Sequence, residues 1–172
     1  MIRKTAADDA DRVAEIHTEG WRQAYRGIIA DSFLFGKLSV CRRAGNIRKE
    51  LELGQGESYV AERGGVVAGF VVMGLSRDDD KRGEGNFELW AVYTEPAMKR
   101  SGLGAEMLAF CETEAARRGM REVSLWVLER NASARAFYEK YGYRPDGAVK
   151  VLERLPSADG VQIAEMRYVK KL

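Results

Sequence analysis

The chain has 172 residues, 45% hydrophobic and 31% charged, which suits one domain with a sizeable core. Its 28 basic and 26 acidic residues leave a net charge of +2, too balanced for nucleic acid to be the main partner. The apolar runs are too short for a membrane span, and the first residues hold no apolar stretch of a secretory signal.

Cys41 and Cys111 are far apart, so a disulfide is not expected and a reducing, cytoplasmic compartment is. With His17 as the single histidine, neither a zinc site nor a His-based triad is expected, and no metal is assigned. No repeat or low-complexity linker divides the chain, so residues 1–172 are expected to form a single domain.

Ile2 to Thr5 reads as a short first strand. Asp8 to Tyr25 reads as a helix, with Val13, Ile16, His17, Trp21, Ala24 and Tyr25 near one face and aspartates at its positive end. Asp31 to Leu38 and Val40 to Leu53 read as two further helices. Ser58 to Arg63 and Val66 to Ser76 form a hairpin signal about Gly64-Gly65. Arg77 to Asn86 is a polar loop in which Asp78, Asp79 and Asp80 are expected to be solvated, the alternative being attraction of a cationic acceptor.

Phe87 to Thr94 is the next strand. The helix Gly102 to Arg118 then buries Leu103, Met107, Leu108, Cys111 and Ala115, and Gly119 stops it. Val123 to Leu128 is β-prone, and a helix from Asn131 ends at Gly142. Two closing strands, roughly Tyr143 to Leu155 and Val161 to Val169, meet across Asp159-Gly160. This order mixes a meander with helical crossovers and gives the α/β class with a mixed sheet.

The stretch Lys99-Arg100-Ser101-Gly102-Leu103-Gly104 stands where a strand gives way to a helix. Uncovered backbone N–H groups, the helix's positive end and two full charges suit a phosphate or pyrophosphate. A Walker A loop would need Lys and then Ser or Thr after the last glycine, and Ala105-Glu106 stand there. A dinucleotide fingerprint would need Gly or Ala where Met107 stands.

The loop resembles Gln/Arg-x-x-Gly-x-Gly/Ala, the acyl-CoA loop of the GNAT superfamily of acetyl-CoA-dependent N-acetyltransferases, with Lys99 in its first place as a departure that keeps the charge. A second stretch resembles that family's Asn-x-x-Ala-x-x-Phe-Tyr-x-x-x-Gly-Phe/Tyr at Asn131, Ala134, Phe137, Tyr138, Gly142 and Tyr143. The opening, Ile2-Arg3 to Asp8 and Trp21 to Ile29, is also similar to that of many members, so the resemblance covers nearly the whole chain.

It implies a mixed central sheet of about seven strands flanked by helices and splayed between the fourth and fifth. It also implies acetyl-CoA as cosubstrate and a primary amine as acceptor, with direct attack in a ternary complex. Neither nucleic acid nor membrane is implied as a partner, and a homodimer stays open. Lys99, Arg100, Ser101, Gly102, Leu103, Gly104 and Ala105 would hold the pyrophosphate. Val92, Tyr93 and Thr94 would offer the splayed strand's edge to the pantetheine amides.

Asn131 would bind the cofactor, cap its helix, or do both, and Arg135 would meet a cofactor phosphate or solvent. Tyr138, by periodicity alone a core residue, would protonate the departing thiolate, and Glu88 would serve as base or stand at a strand end in solvent. Trp90, Tyr25 and Trp21 would line the acceptor pocket, with core packing as an equal reading for Trp21. The resemblance also leaves open a non-catalytic acyl-CoA sensor on the same fold, or a transferase using a longer acyl group or an alcohol.

Overall fold

The structure, a computed structural model, describes residues 1–83, 85–98 and 100–172, so Lys99 of the expected cofactor loop lies outside the described residues. Seven strands form one sheet in the order β1-β2-β3-β4-β5-β7-β6. They are β1 (Ile2–Lys4), β2 (Glu57–Arg63), β3 (Val66–Leu75), β4 (Asn86–Thr94), β5 (Glu122–Leu128), β6 (Arg144–Val151) and β7 (Ala164–Lys171). All neighbours pair antiparallel except β4 and β5, which are parallel and joined through a helix. The helices are α1 (Ala10–Ala24), α2 (Asp31–Gly36), α3 (Val40–Glu52), α4 (Leu103–Arg117) and α5 (Ala132–Lys140). Among the described residues, no helix is long and apolar enough to cross a membrane.

Alternation along the strands divides the core between the two sheet faces. Tyr59 and Ala61 of β2 join Leu103, Met107, Leu108 and Cys111 of α4, while Val60 joins Val13 and Ile16 of α1 and Ile47 of α3. A third cluster, Ile28, Ile29, Leu34, Leu128 and Ile163, fastens the segment after α1 to the end of β5.

The two closing strands are shorter than their apolar pattern suggests. Residues 152–163 leave the sheet because their backbone meets the segment after α1: the Ala30 N–H donates to Pro156 O at 2.9 Å and the Ala158 N–H to Ile28 O at 3.0 Å. The first helix begins at Ala10 after a 3-10 turn, Ala7–Asp9. Asp9 is held there by Arg3 at 2.7 and 2.9 Å and by the Ala6 N–H at 2.7 Å.

The feature that positions everything else is the parting of β4 from β5. The two pair from Asn86↔Glu122 to Leu89↔Leu125 and no further, although β4 runs on to Thr94 and β5 to Leu128. On the other side of β4, Met73 faces Leu89 and Val72 faces Ala91, so Trp90 is an extra residue in the ladder. Such a bulge bends its strand and increases the local twist, which turns β4 away from β5 at that point. Gly56 makes room for the displaced indole, since a Cβ there would lie 2.4 Å from the Trp90 ring.

In the polar loop after β3, Asp79 and Asp80 are exposed as expected, whereas Asp78 is drawn in. Arg167 of β7, only 5% exposed, holds Asp78 at 3.0 Å, Asp80 at 2.6 Å and Asp146 at 2.7 Å. The Trp126 indole N–H also donates to Asp78 at 3.0 Å. Arg167→Ala strands two largely buried carboxylates, and the expected loss is about 3–5 kcal/mol in urea unfolding. A loss under about 1 kcal/mol would mean that the carboxylates find water instead.

Candidate functional site

The parted strands open a cleft of about 830 Å³. One wall is the second half of β4, the other is β5 and α5. The C-terminal end of α1 and the N-terminal end of α4 also line the cleft.

At the α4 end the chain takes the left-handed conformation at Arg100 (φ 64°) and again at Gly102 (φ 86°). Gly102 is suited to that geometry, whereas Arg100 holds it against its own preference, the kind of strain that collects at binding sites. The first intrahelical bond is Glu106 N–H to Gly102 O at 3.0 Å, so the Gly104 and Ala105 N–H groups precede the ladder and stand at the positive end. Arg100, Gly102, Gly104 and Ala105 line the cleft. Leu103 turns into the core and Ser101 Oγ lies 3.4 Å from the Leu103 N–H, so these two contribute to the loop's shape.

Along β4, Val92, Tyr93 and Thr94 line the cleft, and beyond Leu89 this edge has no partner in β5. Asn131 both caps α5, accepting the Ala134 N–H at 3.1 Å, and lines the cleft. Arg135 does not line it. Its Nε donates to the Tyr168 hydroxyl at 3.1 Å and a terminal nitrogen to Glu129 O at 3.1 Å, so it braces α5 on β7 instead of facing a phosphate or open solvent.

Tyr138 lines the cleft from α5, and its hydroxyl has no hydrogen-bond partner among the described residues. Burial pushes the phenol well above its ordinary range, with nearby Tyr25 and Cys111 adding to the rise, so it stays protonated at neutral pH. Across the cleft the Tyr25 and Tyr93 hydroxyls lie 3.2 Å apart. Burial raises both of these phenols too.

Trp90 and Tyr25 line the cleft, whereas Trp21 does not and packs against Tyr25, edge-on at 5.0 Å. His17 packs against Trp21, Tyr93 and Phe70. Burial first, and positive Arg43 second, push its imidazolium down to about 3 from 6.5. An unfolded chain takes up that proton near pH 6.5 and the folded one refuses it. The His17 contribution to stability is therefore intact above pH 6.5 and is lost as the pH falls toward 3. Between pH 7 and pH 5 the chain is expected to lose about 2 kcal/mol in urea unfolding, and His17→Gln to flatten that slope. A slope unchanged in the variant would assign the loss to other groups.

Glu88 is 1% exposed and does not line the cleft. One oxygen accepts the Arg77 N–H at 2.8 Å, and the other accepts the Arg77 guanidinium at 2.5 and 3.1 Å. That guanidinium sits 4.4 Å from the centre of the Trp90 ring. Glu88 thus fixes Arg77 under the Trp90 indole through both of its oxygens, where a carboxylate free to take a proton was expected.

The cleft also has wall residues that the sequence reading did not single out: Gln23, Trp126, Ser133 and Lys140. Ser133, Phe137, Lys140 and Tyr141 follow helical spacing on α5, so one helical period would have found Ser133 and Lys140. Nothing in the sequence marks Gln23 or Trp126 beyond their neighbours.

A family model described as "Acetyltransferase (GNAT) family" matches residues 13–143. "Probable N-acetyltransferase Rv2775" of Mycobacterium tuberculosis is 27% identical over 171 residues, which cover 97% of this chain and 91% of that protein. The PaiA N-acetyltransferase of Thermoplasma acidophilum, solved in complex with coenzyme A, superposes with a TM-score of 0.77 at 20% identity over 100% of this chain and 98% of that one. Ribosomal-protein-alanine N-acetyltransferase of Brucella melitensis superposes at 0.73, also at 20% identity, over 100% of this chain and 99% of its own.

Proposed function

We propose, for a chain that belongs to the GNAT acetyltransferase family, that it transfers the acetyl group of acetyl-CoA to a primary amine by direct attack in a ternary complex. The observation that carries this reading is the parting of β4 and β5 with the unpartnered Tyr138 phenol in the gap.

A long ligand with an anionic end fits this site. Arg100 and the Gly104 and Ala105 N–H groups would hold its pyrophosphate, and the open edge of β4 would pair with its amides as an added strand does. Asn131 stands beside the same channel. Acetyl-CoA supplies an activated thioester there. N–H groups on the β4 edge offset negative charge as it develops on the carbonyl oxygen, and Tyr138 donates to the departing sulfur. Glu88 and Arg77 keep Trp90 in place on the acceptor wall.

Neither cysteine is placed to carry the acetyl group. Cys41 is exposed on α3, and burial pushes the Cys111 thiol up to about 12 inside the core. Holding two reactants together then supplies most of the acceleration.

The test is release of free thiol from acetyl-CoA across a panel of alkylamines, polyamines and peptides with free N-termini. Saturable turnover with one class supports the reading and names the acceptor. Tight acetyl-CoA binding with no turnover on any amine supports the sensor instead.

A further inference from the structure

One carboxylate that acts on Tyr25, a wall residue of the cleft, has no partner. Glu165 of β7 stands opposite Leu128 of β5 and Lys150 of β6. Two residues along, Arg167 stands opposite Trp126, so strand alternation puts Glu165 on the same sheet face as Trp126, which lines the cleft. Glu165 is half-buried, yet its side chain makes no hydrogen bond or ion pair among the described residues.

Arg77 holds Glu88, and Arg167 holds Asp78 and Asp80. The charged and titratable groups that act on Glu165 come from four elements: Lys150 of β6, Arg77 after β3, Glu88 of β4 and Tyr25 after α1. Burial pushes the Glu165 carboxyl up, Lys150 and Arg77 pull it back in part, and Glu88 adds to the rise. An exposed carboxylate is about 10⁶-fold less basic than an alkylamine, so a rise works in the direction that proton acceptance needs.

We propose that Glu165 is the proton acceptor for the attacking amine, receiving the acceptor's ammonium group and taking a proton from its nitrogen. The proposal rests on the acetyl-transfer reading above. The ammonium gives one proton to the Glu165 carboxylate, which frees the nitrogen lone pair. That pair forms the N–C bond as the C–S bond breaks, and Tyr138 protonates the sulfur. The second proton leaving the nitrogen restores the phenol, and the proton on Glu165 passes to water. The products are an amide, a thiol and one released proton. Glu88 remains a positioning residue that acts through Arg77.

The test compares wild type with Glu165→Gln, reading kcat/KM for an alkylamine from pH 6 to 10 by thiol release, with acetyl-CoA affinity measured by calorimetry. Near pH 7 the variant is expected to be about 10²-fold slower. The deficit is expected to shrink as the pH rises and the amine loses its proton unaided, with acetyl-CoA affinity within twofold of wild type. A variant as fast as wild type at pH 7, or a deficit equal at every pH, overturns the assignment of Glu165 alone. A wild-type protein that turns over no amine overturns the acetyl-transfer reading, and this proposal with it. If Glu165→Gln fails to bind acetyl-CoA, Glu165→Ala with added formate decides: restored rate supports the proposal and no restoration overturns it.

Discussion

Gly104→Glu is expected to abolish acetyl-CoA binding. Gly104 stands in the first turn of α4 and lines the cleft, and a Cβ built on it would lie 3.6 Å from the Phe137 ring of α5. That distance is ordinary contact, so Gly104→Ala narrows the channel without closing it. Glutamate adds two methylenes and a carboxylate to a position that lines the channel. It also places negative charge beside the N–H groups proposed to hold a pyrophosphate, so volume and charge act in the same direction. Calorimetric titration with acetyl-CoA checks this. Binding within threefold of wild type would remove the α4 end of the cleft from the cofactor site.

Tyr138→Phe is expected to lower kcat on the order of 10²-fold while leaving acetyl-CoA affinity unchanged. Phenylalanine keeps the ring that packs at 5.3 Å from Phe137 and at 6.0 Å from Tyr143, so the loss reads the hydroxyl alone. Burial raises the Tyr138 phenol, and a raised acid keeps its proton to higher pH. The alkaline side of the wild-type profile is therefore expected to stay flat through pH 10, the ordinary tyrosine range. Steady-state rates over pH 7 to 10 check both points. An unchanged kcat would exclude Tyr138 from the proton transfer, and a fall centred near pH 8 would point to another acid.

The parts of this molecule that were legible in sequence are those fixed by near neighbours. The Gly64-Gly65 turn, the apolar face of α4 and the Asn131 cap each depend on residues within one or two turns, and the structure has each of them. The α4 loop was legible for the same reason, since glycine spacing and a helix start are local properties. What stayed hidden is set by partners distant in the chain. Asp78 looks like part of a solvated acidic run until Arg167, nearly ninety residues away, is seen to hold it. Arg135 looks free until Tyr168 meets it, and Glu88 looks available until the chain after β3 brings Arg77 onto it. In each case a charged side chain was read from its own strand or helix, and its role was decided by another.

The extra residue at Trp90 has one more consequence. Along β4 the main chain and the side chains answer to different molecules in the proposed reaction: the open edge to the nucleotide-bearing donor, the indole to whatever amine arrives. A backbone edge keeps its donors and acceptors whatever side chains it carries, apart from proline. Acceptor preference along this strand is thus free to drift, residue by residue, at little cost to donor recognition. Exchanging Trp90 for a smaller ring retunes one specificity and spares the other.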